Sequence, residues 1–197
     1  MKALDGRHLR TERAREKITA ALLEFIDDAE LRPRMARISQ RAGVSLRTLF
    51  NHSPRREALI PAAALAHLQV LLPLMEPVDV EAPFEGRLAS FITQRSRLLE
   101  RLGPVRRAVR RVEPFSAELG PFLANARAFK RGDVEAVFEK ELSRIKEPER
   151  ARRNAALGVF TSFETWDSLR SHQGLPVAVA RDVLRDGVRL LLRSRGR

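Results

Sequence analysis

Apolar positions along this chain recur three and four residues apart, in blocks separated by glycine, proline and charged residues. Ile18, Leu22, Phe25, Ile26 and Ala29 form one such stripe between about Leu9 and Ala29, the spacing of a helix with one buried face. Leu88, Phe91, Ile92, Leu99 and Leu102 repeat the pattern up to Gly103-Pro104, which reads as a stop followed by a new start. Phe122, Ala126 and Phe129 open a longer stretch through Val134, Val137, Phe138, Leu142 and Ile145. Val159, Phe160, Phe163, Trp166 and Leu169 mark another from about Pro148 to His172. Ala180, Val183, Leu184, Val188, Leu191 and Leu192 mark the last, from about Pro176 to Arg193. No segment alternates apolar and polar residues with β-branched enrichment, so the pattern predicts an all-α chain. Residues 73–83, PLMEPVDVEAP, hold three prolines and predict a loop. The expected layout is a small helical module over 1–55, then a larger helical body over 56–197 that begins with a connecting helix across about 54–72.

The stretch RMARISQRAGVSLRTLFNHSPRREALI, residues 34–60, predicts two short helices in tandem. Met35 and Ile38 give the first an apolar stripe, and Gly43 breaks it with a residue free to take the left-handed conformation. Ser45 sits where an N-cap belongs, and Leu49 is the inward residue of the second helix, about Ser45 to His52. Ser53-Pro54 is expected to restart the chain as a further helix, with serine as its cap. Two short helices joined by a glycine turn describe a helix-turn-helix, whose second helix enters the DNA major groove. The same topology also fits a tight helical hairpin within a core.

Composition narrows the classes. Of 197 residues, 44% are apolar and 31% charged, which excludes a disordered tail. No run approaches the roughly 18 apolar residues of a spanning helix, so no membrane partner is expected. The opening MKALDGRHLR has no apolar signal core, and a cytoplasmic location is expected. There is no cysteine, hence no disulfide, thiolate metal site or thiol nucleophile. The four histidines, His8, His52, His67 and His172, are scattered, and no HExxH, GxSxG or phosphate-cradling glycine loop occurs. Glu139 and Glu141 are two apart and point away from each other on a helix. No catalytic residue, metal site or cofactor is expected. The 37 basic residues against 25 acidic leave a net +12, which favours an anionic partner, with nucleic acid first. The excess is spread along the chain, +5 in residues 1–60 and +7 beyond, so charge alone does not locate a site.

The string RAGVSLRTLFNHSPRREAL resembles the TetR family of one-component bacterial transcription regulators, in register through the turn, the second helix and the start of the next. The resemblance covers about residues 10–60. It implies a three-helix DNA-binding module that reads a palindromic double-stranded operator. Leu46, Arg47, Thr48 and Asn51 then stand where base edges are reached, Arg47 suited to guanine and Asn51 to adenine. Ser45, His52 and Arg56 stand at phosphate positions, and Arg34 can add a charge to the same face. There are four departures from the family pattern. Phe50, within the DNA-facing set, replaces a tyrosine and lacks its hydroxyl. Ser53 replaces a larger apolar or aromatic residue. Arg56 replaces a lysine, keeping charge and adding a bidentate option. Pro33-Arg34 replaces a Thr-Thr pair. Arg7, His8 and Arg10 form either a basic arm beside the duplex or a solvated tail.

The resemblance further implies a helical body that binds a small effector and pairs through its last two helices into a homodimer. Eight of the ten phenylalanines and the single tryptophan follow residue 80. Phe91, Phe115, Phe122, Phe129, Phe163 and Trp166 are the candidate lining of an apolar ligand pocket, although aromatics at helical spacing also build plain cores. Arg95, Arg97, Arg101, Arg106, Arg107, Arg110 and Arg111 suggest a solvated helix face or the mouth of an anion site. Ala155, Ala156, Gly158 and Gly187 permit close helix approach, within one chain or between two. Pro61 lies eight residues into the expected connecting helix and should kink it or delay its start. The expected function is a repressor released from its operator by an apolar or amphiphilic ligand. The competing reading is an arginine-rich, nucleoid-type nucleic-acid-binding protein without sequence preference.

Overall fold

The computed structural model describes residues 2–28, 30, 32–71, 76–116 and 119–193, and the side chains of residues 2–7, 115, 122 and 131 fall outside that description. Its helices are α1 (Lys2–Asp27), α2 (Met35–Ala42), α3 (Leu46–His52), α4 (Ile60–Leu71), α5 (Phe84–Val112), α6 (Leu119–Val137), α7 (Glu139–Leu142), α8 (Glu149–Phe160), α9 (Phe163–Asp167) and α10 (Val177–Arg193). Short 3-10 turns occupy Arg56–Leu59 and Glu113–Phe115, and a π-turn occupies Ser168–His172. Among the described residues there is no strand, so the chain is all-α as its periodicity predicts.

The chain forms two compact units. The first holds residues 1–72 together with 104–120. Ile18, Ala21, Leu22, Phe25 and Ile26 of α1 are buried there, with Ile38 of α2, Leu49 of α3, and Ile60, Ala63 and Ala64 of α4. The second unit holds residues 73–103 and 121–197 around one core: Leu88, Phe91, Ile92 and Leu99 of α5, Val134 and Val137 of α6, Phe138, Leu142 of α7, Leu157 of α8, Phe163 and Trp166 of α9, and Ala180, Leu184 and Val188 of α10. Phe91 meets Phe138 edge-on, with ring centroids 5.3 Å apart. Buried arginines tie this unit together. Arg87, 2% exposed, donates to the carbonyls of Ala82 and Val137 and makes a two-pronged pair with Glu141.

Several boundaries differ from the sequence pattern, each for a physical reason. Gly103-Pro104 does not end a helix, because α5 runs through it. Pro104 removes one N–H from the ladder, a defect of about 3 kcal/mol in a helix interior. The apolar stripe Val105, Ala108, Val109 and Val112 is buried beyond it, and that burial holds the helix on course. The long stretch expected from Phe122 to Ile145 is interrupted at Phe138, and that from Pro148 to His172 at Thr161-Ser162. Ser162 caps α9 by accepting the Thr165 amide at 3.2 Å. Pro61 falls in the first turn of α4, where its missing N–H is harmless, so the true helix starts late.

Candidate nucleic-acid interface

The link between α2 and α3 is built by backbone hydrogen bonds that need glycine. Gly43 adopts φ 63°, ψ 35°, and its amide donates to Gln40 O while Val44 N donates to Ser39 O. These are the two bonds of a Schellman C-cap, which satisfies the last carbonyls of α2 and turns the chain. Two residues on, Ser45 is extended and its Oγ accepts the Thr48 amide at 3.0 Å, starting α3. Ser45 Oγ also lies 2.8 Å from Thr48 Oγ1. One of the two hydroxyl protons is used between them and the other is left to donate elsewhere.

Leu49 is the only inward anchor of α3, with no exposed surface. Around it the helix presents two i,i+4 pairs to solvent. Leu46 (41% exposed) and Phe50 (46%) form an apolar pair, and Arg47 and Asn51, both exposed, form a polar one. Thr48 and His52 are partly buried. An exposed apolar pair beside an exposed Arg/Asn pair matches what base edges offer, thymine methyls and purine donor–acceptor edges. Between Glu30 and Glu76 the sequence has a single acid, Glu57.

The six arginines from Arg34 to Arg56 divide into three groups. Arg41 lies 3.8 Å from the Phe25 ring centroid and pairs with Asp28 at 3.2 Å and Glu24 at 3.9 Å. Arg37 pairs with Glu30 at 2.5 Å and also stands over Phe25. Both clamp α2 to α1. Sequence spacing had no means of finding these pairs, since their partners lie 7 to 17 positions away with no common helical repeat. Arg34, Arg47 and Arg55 are exposed and have no ion-pair partner among the described residues. Arg34 precedes α2 with extended backbone and makes no side-chain cap. Arg56 is partly buried and paired with Glu57. The Glu57 carboxyl is held below its usual range chiefly by a hydrogen bond from its own backbone amide; burial opposes this, and Arg56 and then Arg32 add to the lowering.

Ser53 departs from its expected role. It ends α3 rather than capping a new helix, and its hydroxyl, buried, donates to Arg55 O at 3.0 Å. The chain restarts instead with an uncapped 3-10 turn from Arg56. A buried small residue there brings the two segments together through a hydrogen bond rather than an apolar contact.

The six aromatic candidates for a ligand pocket do not come together as one set. Phe91, Phe163 and Trp166 share the core of the second unit, where Trp166 Nε1 donates to Glu100 Oε1 at 2.7 Å. Phe129 is 63% exposed on α6, outside that core. Phe115 belongs to the first unit; its side chain and that of Phe122 lie outside the described residues. The 95–111 arginines are also heterogeneous. Arg95 is buried beneath its pairing with Asp133 and stands 5.0 Å over Phe91, and Arg106 pairs with Glu113, whereas Arg97, Arg101, Arg107, Arg110 and Arg111 are exposed. Among the described residues no three His, Asp or Glu side chains converge as metal ligands, and no helix is long and apolar enough to cross a membrane.

The fold these elements define is all-α and is shared with a solved structure. The crystal structure of a transcriptional regulator from Rhodococcus sp. Rha1 superposes on this chain with a TM-score of 0.70, covering 91% of this chain and 96% of that one at 19% identity. No family model matches the sequence, and no curated protein does.

Proposed function

We propose that this protein is a sequence-specific DNA-binding transcriptional regulator of the TetR type, acting in the cytoplasm by binding rather than by catalysis. The observation that carries the reading is α3 itself. It is a capped helix held by one buried leucine, with Leu46, Arg47, Phe50 and Asn51 exposed in a stretch containing one acid. The shared fold with a protein described as a transcriptional regulator supports it. Arg47 and Asn51 read bases, Leu46 and Phe50 contact thymine methyls, and Thr48 assists. Arg34, Ser45, His52 and Arg56 hold phosphates and set register.

The module of residues 1–55 works in pairs, because a palindromic operator presents two half-sites about 34 Å apart. The homodimer forms through the last two long helices, α8 and α10. Support comes from Val159 and Leu190, which are 68% and 70% exposed on two helices that pack on each other. The body, residues 56–197, binds an apolar or amphiphilic effector near Phe91, Phe163 and Trp166 and thereby releases the operator. Shifting a 1:99 balance to 99:1 takes about 5.5 kcal/mol of differential affinity between the two states. Selection of bound fragments from genomic DNA tests the reading. Recovery of one inverted repeat supports it, and uniform recovery of all fragments favours the nucleoid-type alternative, whose affinity depends on salt but not on sequence.

A further inference from the structure

The buried stripe of α5 is interrupted by charge. Leu88, Phe91, Ile92 and Leu99 belong to the core of the second unit, and the turn between them carries Arg95, 4% exposed, and the fully buried Ser96. A guanidinium taken out of water is costly unless its fork of five N–H donors finds acceptors. Here a single nitrogen is used, Nη2, which donates to Asp133 Oδ2 of α6. Nε is buried and has no hydrogen-bond partner among the described residues. The guanidinium carbon stands 5.0 Å from the centroid of the Phe91 ring. Burial pushes the Arg95 guanidinium below its ordinary value, and Asp133 opposes that shift without cancelling it.

A second cation borders the same turn. Arg181 of α10 donates through Nε to Ser96 Oγ at 2.9 Å and has no carboxylate partner among the described residues. Two arginines thus meet this turn of α5, and one acid answers them. Asp133 is also where solvent reaches the pair, its side chain being 26% exposed. Phe129, one turn earlier on α6 and exposed, adds apolar surface on that side. From this we infer that the unfilled fork of Arg95 receives the carboxylate of an apolar acid, which enters past Asp133 with its hydrocarbon part turned toward Phe91. The inference rests on the effector reading above and gives that effector its chemical class. A carboxylate is the occupant because its two coplanar oxygens match paired N–H donors of a guanidinium. Its single charge also balances the excess of one cation left by Arg95, Arg181 and Asp133, which a phosphate monoester would overshoot.

The test uses the full-length chain and a series of probes, hexanoate through dodecanoate and 4-phenylbutanoate, each beside the alcohol of the same skeleton. Binding is read from the emission of Trp166, which lies in the same unit, and from the melting temperature. At least one acid is expected to bind about 10-fold or more tighter than its alcohol, the span of hydrogen bonds to a charged group. Arg95→Met combined with Asp133→Leu removes both charges at once, so neither is left stranded and the fold is kept. That variant should bind the alcohol as before and lose the preference for the acid. Arg95→Lys keeps the charge but gives up the fork, and its preference should fall between the two. Equal affinity for acid and alcohol in the wild type overturns the Arg95 site and leaves the effector reading standing, as does a preference that survives the double variant. A wild type that binds no member of either series overturns the effector reading and this site together.

Discussion

Arg41 and Arg47 are six residues apart and have opposite surroundings. Arg41 stands over the Phe25 ring and pairs with Glu24 and Asp28, so its charge is already compensated. Arg47 stands on the exposed side of α3 with no ion-pair partner among the described residues. Arg47→Ala should therefore cost about 1–3 kcal/mol on the preferred duplex and relax one base position, with stability unchanged within about 0.5 kcal/mol. Arg41→Ala should do the reverse, lowering stability by about 1 kcal/mol through the lost ring contact while the base preference stays intact. Paired binding titrations and thermal melts distinguish the two, and equal loss by Arg47→Ala on preferred and random DNA would remove its base-reading role.

At the scale of elements, local signals were legible and tertiary ones were not. The α2–α3 turn could be read from Gly43 and Ser45 because a left-handed residue and a capping hydroxyl act within a few positions. Leu49 was legible as the anchor for the same reason. The continuity of α5 through Gly103-Pro104 was hidden, since it depends on burial of Val105, Ala108, Val109 and Val112 beyond the proline. Likewise, which aromatics share a core cannot follow from helical spacing, and Phe129 faces solvent although its spacing matches that of its buried neighbours. Two substitutions probe these elements. Gly43→Ala meets no atom within 4 Å, so its cost is conformational alone, about 1–2 kcal/mol in a melt. Glu141→Ala strands the Arg87 guanidinium in the second unit and should cost about 3–5 kcal/mol, more than any exposed pair such as Arg185–Asp182. Urea titration of both variants measures the difference.

For the molecule as a whole, the proposed pairing depends on which small residues are already used within one chain. Gly187 is one of them: a Cβ there would lie 2.0 Å from the Phe160 ring, so α10 approaches α8 at that point intramolecularly. A bulky residue at 187 thus disturbs the fold before any dimer, and melting should report overpacking of about 1–3 kcal/mol. Leu190 is the cleaner probe, being exposed and outside that contact. Leu190→Glu should convert a light-scattering mass of two chains to one without lowering the melting temperature. A mass of two chains retained by this variant would count against the α8–α10 pairing.

Trp166 gives the second unit an optical signature of its own. It is the single tryptophan of a chain with no tyrosine, so near-ultraviolet emission arises from one indole, buried and hydrogen-bonded to Glu100. Its fluorescence should be blue-shifted in the native protein and move to the red only when the second unit opens. Far-ultraviolet ellipticity counts the helices of both units. Followed together through a thermal ramp, the two signals separate if the units melt independently and coincide if they melt as one. The same lone fluorophore makes compound screening label-free, because an effector of the proposed kind, seated beside Phe91 and Phe163, would change the surroundings of the only emitter the protein has.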